Sequence, residues 1–155
     1  MNTKRNCLKL SLLAALGLSL NLSLTQATWA AETPTSLTGV KVISADETKK
    51  LLDSGAPVID TRVAAEFAEK SIKGAKSVPY KEKSEKVVGF DASKDQFDLS
   101  KLPTDKSAAL VFFCNAGECW KSYKASIAAQ KAGYTKINWF RGGMPEWVAK
   151  GLPTQ

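Results

Sequence analysis

The 155-residue chain carries 22 basic and 15 acidic residues, a formal net charge of +7, and no histidine. Without an imidazole, Ser–His and Cys–His catalysis are excluded, and the few thiols fall short of the four ligands a structural zinc wants. The lysines are scattered among acids, which fits a soluble mixed surface with a mild attraction for anions rather than a nucleic-acid site.

The chain opens on Lys4, Arg5 and Lys9, continues through a Leu-, Ala- and Ser-dominated run from Leu10 to Leu24, and reaches Thr28-Trp29-Ala30. That order is the pattern of a secretory signal peptide over residues 1–30, with cleavage expected between Ala30 and Ala31. The apolar run is broken by Asn21 and serines and is shorter than the roughly 20 residues of a spanning helix, so no stable membrane insertion is expected after cleavage. Cys7 precedes the apolar core, the wrong place for a lipoprotein cysteine. Removing the leader leaves a net charge of +4 and two cysteines, Cys114 and Cys119. An exported, periplasmic location is expected, where disulfides persist.

Residues 31–39 read as a flexible lead-in to one domain over residues 40–153. Val40 to Ile43 is a short strand. Ser44 followed by Glu47 forms a capping box, and the helix it opens runs to about Asp53 with Leu51 and Leu52 inward, ending at Gly55. Pro57 to Asp60 is a strand buried on both faces. Ala64 to Lys70 makes a short helix with Phe67 inward, and Ile72 to Pro79 holds a glycine turn and a short strand around Val78. Residues 81–107 are rich in Lys, Glu, Asp and Ser, and read as a surface excursion with one helical turn, anchored by Val87, Val88, Phe90, Phe97 and Leu99. Ala109 to Phe113 is the central strand, Lys121 to Ala132 an amphipathic helix closed by Gly133, Lys136 to Phe140 a further strand, and Gly143 to Lys150 a last helix stopped by Gly151 and Pro153. Strands alternating with helices predict an α/β fold with a mostly parallel sheet and helices on both faces.

Chemistry concentrates in Cys114-Asn115-Ala116-Gly117-Glu118-Cys119-Trp120-Lys121-Ser122. Cys114 ends the central strand, at the sheet edge where ligands bind in open α/β sheets. The following helix turns its N-terminus, with Lys121 in its first turn, toward the same place, and that arrangement favours a thiolate and a bound anion. Gly117 lets the loop backbone turn inward. A phosphatase is disfavoured, because a Cys-x5-Arg loop would need Arg where Trp120 stands.

Several segments resemble the rhodanese-like family in register and order. Val58-Ile59-Asp60-Thr61-Arg62 is similar to its apolar-apolar-Asp-x-Arg strand, and Ile72-Lys73-Gly74-Ala75-Lys76-Ser77-Val78-Pro79 to its Ile-Pro-Gly-Ala-x-x-x-Pro segment. Arg141-Gly142-Gly143-Met144-Pro145-Glu146-Trp147 with Gly151-Leu152-Pro153 is similar to its Gly-Gly-x-x-x-Trp…Gly-x-Pro ending. Ser71 stands where the family usually has His, and Lys73 replaces the Pro. The family loop reads Cys-x-x-Gly-x-Arg-Ser; here Ser122 follows Cys114 by eight positions, the cation before it is Lys121, and a second cysteine intervenes. The chain resembles an exported subgroup with a Cys-x4-Cys loop.

The resemblance implies a sulfurtransferase that needs no cofactor or metal. Cys114 takes a sulfane sulfur from a small anionic donor as a persulfide and passes it to a thiol acceptor, with Asn115, Ala116, Gly117, Glu118, Trp120, Lys121 and Ser122 forming the cradle. It also implies that Asp60 and Arg62 brace the loop or contact substrate; an ordinary strand-end ion pair is the other reading. Cys119 is a resolving thiol, half of a structural bridge, or itself the nucleophile. A thiol–disulfide redox protein using Cys114 and Cys119 and a non-catalytic binding module of the same fold are the alternatives. Trp139 either walls the pocket or belongs to the core. The Gly142-Gly143 pair is expected to permit a close backbone approach.

Overall fold

The computed structural model describes residues 31–155; the leader expected over residues 1–30 lies outside the described residues. Its strands are β1 (Lys41–Val42), β2 (Val58–Asp60), β3 (Lys76–Ser77), β4 (Leu110–Phe113) and β5 (Ile137–Phe140). Its helices are α1 (Ala45–Asp53), α2 (Ala64–Glu69), α3 (Trp120–Lys131) and α4 (Gly143–Ala149). The strands form one sheet in the order β1-β5-β4-β2-β3, with every paired neighbour parallel. The expected single α/β domain is therefore the one adopted.

Alternation along the strands sorts the core into two layers. Val111 and Phe113 of β4 pack with Val58, Phe140 and Trp147 on one face, under α1, α2 and α4. Leu110 and Phe112 pack with Ile59, Ala125 and Ala129 on the other, under α3. Because β2 and β4 are buried on both faces, they read as continuous apolar runs. The capping box of α1 forms as expected: Ser44 Oγ accepts from Glu47 N at 3.3 Å, and Ser44 N donates to Glu47 Oε2 at 3.0 Å. The strand expected around Val78 pairs at Lys76–Ser77, and Val78 is buried just beyond it.

The excursion between β3 and β4 differs from its expected form. Two 3-10 turns occur, Ala92–Lys94 and Leu99–Lys101, capped by Asp91 and Asp98. Val87, Val88 and Leu99 are not anchors; they are 45%, 68% and 37% exposed. Phe97 packs on the α3-side core, and Phe90 on the cluster of Trp120, Tyr123 and Trp139. The other anchor is ionic. Lys124 of α3 is wholly buried, with Nζ 2.8 Å from Glu82 Oε1, 3.8 Å from Asp95 Oδ2 and donating to Ser84 Oγ at 2.8 Å. Its charge also lies 4.8 Å from the centre of the Phe90 ring. Asp95 accepts further from Tyr80 Oη and from the Lys83 and Ser84 amides. Burial alone would raise the Asp95 carboxyl, but the bonds from Ser84 and the Lys83 amide outweigh it and hold the group at about 2. Burial, and then the bond to Asp95, push the Tyr80 hydroxyl up. This network fixes the excursion to α3, the helix that carries half of the site.

Candidate active site

From β2 the chain steps outward to β3 and then returns to lay β4 and β5 on the other side of β2. Strand order therefore switches between β2 and β4, and such a switch opens a crevice at the C-terminal strand ends. Thr61 ties the two ends together: its N and Oγ1 both donate to Phe113 O, at 3.1 and 2.9 Å. Cys114 is the next residue after Phe113.

The loop from Cys114 to α3 closes on itself. Cys114 and Cys119 are joined as a disulfide, with Cα atoms 6.3 Å apart, within the span such a bond needs. Ala116 takes a left-handed conformation at φ 46° to make the turn, and Ala116 O accepts from Cys119 N at 3.3 Å. Cys119 is the N-cap of α3, the helix end that favours negative charge, and its side chain makes no cap bond. Exposure separates the two sulfurs: Cys114 is 1% exposed, whereas Cys119 is half-buried. Ser122 Oγ lies 3.2 Å from Cys114 Sγ and accepts the Trp139 indole N–H at 3.0 Å. A bridged sulfur has no proton, so the hydroxyl must donate to it; Trp139 fills an acceptor site on the oxygen and leaves that proton free.

Neighbouring elements grip the loop from three sides. Met144 N donates to Cys114 O at 2.9 Å. Gly143, at φ 55°, lies so close that a Cβ there would meet Cys114 O at 2.1 Å. The expected close approach of the glycine pair is thus made at Gly143, against the nucleophile candidate itself. Asn115 Nδ2 donates to Glu66 Oε1 of α2. On the third side stands the segment expected as a flexible lead-in, which makes specific contacts here. Thr33 is 3% exposed, and its N and Oγ1 donate to Gly117 O at 2.7 and 2.8 Å. Trp120 Nε1 donates to Ala31 O at 2.7 Å.

A family model for the rhodanese-like domain matches residues 44–150. The chain belongs to the rhodanese-like domain family. No curated protein matches it. Among solved structures, a human single-domain sulfurtransferase is 27% identical, covering 72% of this chain and 97% of that chain, with a TM-score of 0.52. The rhodanese-like domain of an Anabaena sp. protein is 25% identical, covering 73% of this chain and 76% of that one, with a TM-score of 0.52. A thiosulfate sulfurtransferase from Pseudomonas aeruginosa shares the fold at 20% identity and a TM-score of 0.56, over 75% of this chain but 20% of that chain.

In this rhodanese-like domain the residues singled out from the sequence separate into two groups. Cys114, Asn115, Ala116, Gly117 and Cys119 form one compact loop; Trp120, Lys121 and Ser122 make the first turn of α3, and Glu118 is exposed. Asp60 and Arg62 do not touch the sulfurs. They form a buried ion pair at 2.6 Å, with Ser71 Oγ donating to Asp60 at 2.7 Å and Arg62 Nη2 donating to Lys70 O at 2.7 Å. Their geometry is that of a brace for the β2–α2 corner, and Ser71 makes the side-chain bond at the position where the family usually has His. Trp139 is core and also a hydrogen-bond donor to the site. Thr61, Glu66, Thr33 and Arg141 also contact the site, and no sequence motif marks them for that role. Thr61 is the middle residue of the Asp-x-Arg motif and directly follows β2, and Arg141 directly follows β5 at the same sheet edge, so both were findable from position just past a strand end.

Proposed function

We propose that this rhodanese-like domain is an exported sulfurtransferase in which Cys114 carries sulfane sulfur as a persulfide. The observation that carries the reading is the sulfur pair at the switch point, set between the Ser122 hydroxyl and the N-terminus of α3. In the bridged state neither sulfur is nucleophilic. A dithiol reductant supplies two electrons and two protons, frees both thiols and leaves as its own disulfide. Deprotonated Cys114 then attacks the outer sulfur of a thiosulfate-like donor; one S–S bond forms, the donor's breaks, and sulfite departs. Ser122 Oγ–H and the first-turn amides of α3 steady the negative sulfur through this step.

Two exits follow. An acceptor thiolate can attack the outer sulfur, taking it and restoring Cys114. Alternatively, the Cys119 thiolate attacks Cys114 Sγ, expels hydrosulfide and re-forms the bridge; Cys119 is then the resolving thiol. A cleft of about 330 Å³ beside Asn115, lined also by Arg62, Glu66, Lys70 and Met144, offers an acceptor a route to the loop. The likeness to a human single-domain sulfurtransferase supports the same chemistry. The bridge itself favours a second reading, a thiol–disulfide redox protein that exchanges electrons without carrying sulfur. Intact mass separates them. The reduced protein, freed of reductant and exposed to thiosulfate or polysulfide, is expected to gain one sulfur that reductant removes. Reversible bridge closure with no sulfur gain from either donor would establish the redox reading instead.

A further inference from the structure

Arg141 directly follows β5 beside the active loop, and nothing in the sulfur-transfer scheme uses it. Its guanidinium packs on the loop at the residue between the cysteines where no side chain stands: a Cβ on Gly117 would lie 2.5 Å from Arg141 Nη2 and 2.7 Å from Cζ. Every bond this guanidinium makes among the described residues goes to the segment ahead of β1. Nε donates to Thr33 Oγ1 at 3.2 Å and to Pro34 O at 3.1 Å; Nη2 donates to Thr33 O at 2.9 Å and to Glu32 Oε2 at 3.0 Å. The same segment holds Gly117 O through Thr33 and the Trp120 indole through Ala31. A carboxylate thus sits on a forked cation that lies against the loop carrying both sulfurs. Lys121, in contrast, is a point charge that cannot fork around an oxyanion.

We propose that Arg141 is the oxyanion-binding residue of this site, and that Glu32, with the strap of residues 31–34, is a built-in competitor for it. The inference rests on the sulfurtransferase reading for the identity of the ligand, the sulfonate end of a thiosulfate-like donor. Swinging the strap away exchanges one anion for another on the same guanidinium, so no buried charge is left unpaired. Glu32 is 67% exposed on its side chain and Arg141 22%, so the internal pair is weak enough to be displaced.

The test uses inorganic sulfate, which has the oxyanion but no transferable sulfur. Binding is followed by the backbone amide shift of Glu118, a loop residue present in every variant, at constant ionic strength, and so is independent of whether Cys114 ever forms a persulfide. Glu32→Gln is expected to tighten sulfate binding by about two- to fivefold, the range commanded by an exposed ion pair. Arg141→Gln is expected to weaken it by about tenfold or more. Gly117→Ala, whose new methyl meets the guanidinium of Arg141 rather than backbone, should weaken it with the fold intact. Equal affinity in wild type and Glu32→Gln, or unchanged affinity in Gly117→Ala, would overturn the proposal and leave Arg141 as an anchor for the strap. Sulfate binding as expected with no sulfur gain in the mass experiment would keep the anion site and sink only the sulfurtransferase reading.

Discussion

At the scale of single residues, the two cysteines are not equivalent, and their difference is physical rather than positional. Cys114 is closed off at the strand end under the Ser122 hydroxyl, while Cys119 is half-buried at the α3 N-cap. A persulfide on Cys114 keeps the Ser122 bond; a thiolate on Cys119 keeps the helix dipole and faces an incoming dithiol. Cys114→Ser is therefore expected to abolish sulfur gain measured by intact mass, while Cys119→Ser still gains one sulfur and holds it longer, having lost its resolving thiol. A silent Cys119→Ser and an active Cys114→Ser would reverse the assignment. Gly143 is the other residue on which the site turns. A side chain there meets backbone atoms, Cys114 O at 2.1 Å and Ala116 N at 2.8 Å, in a conformation that L-residues rarely adopt. Gly143→Ala is expected to cost about 2 kcal/mol or more, read as a lowered urea midpoint with unchanged slope, and to move the loop.

At the scale of elements, what holds the long excursion in place is charge. Its apolar residues are few, and three of the five expected anchors face solvent. Lys124, Glu82, Asp95 and Ser84 take over, joining α3 to a segment with a sequence separation of 40 at Ser84. Lys124→Ala leaves two carboxylates without their cation and is expected to destabilise by about 3–5 kcal/mol in denaturant unfolding. The network also fixes an acid limit. Asp95 titrates at about 2 in the folded state against an ordinary 3.8, so its contribution is complete above about pH 4 and is lost as pH falls toward 2. Asp95→Asn should remove that part of the acid dependence; an unchanged profile would show that the network does not set it. Periodicity could not reveal this arrangement. It reports apolar faces, and Lys124 on an otherwise amphipathic helix reads as solvated until its partners, remote in sequence, are known.

At the scale of the whole molecule, the fold was legible because its signals are local and mutually consistent: a capping box at Ser44 and Glu47, apolar runs in β2 and β4, glycines after α1 and α3. The site was legible as far as the loop, since a cysteine at a strand end ahead of a helix places itself. The strap was not. Thr33 meets Gly117 across a separation of 84 residues and Arg141 across 108, and the short polar stretch ahead of β1 carries no periodic signal. Its contacts give the proposed leader cleavage a structural consequence, because a chain beginning at Ala31 retains every strap bond described here. N-terminal sequencing of the protein recovered from its own cells is expected to start near Ala31; a start at Met1 in the membrane fraction would refute the proposed processing.

We propose the loop as a redox-gated sulfur carrier, bridged at rest and loaded only when opened. Its direct measurement is a paired determination of free thiols and of sulfur transfer from thiosulfate and from polysulfide, before and after mild reduction. Fewer than two free thiols are expected as isolated, with sulfur transfer that rises on reduction and a poor rate from thiosulfate relative to polysulfide. Two free thiols as isolated, with rapid thiosulfate turnover that reductant leaves unchanged, would contradict it.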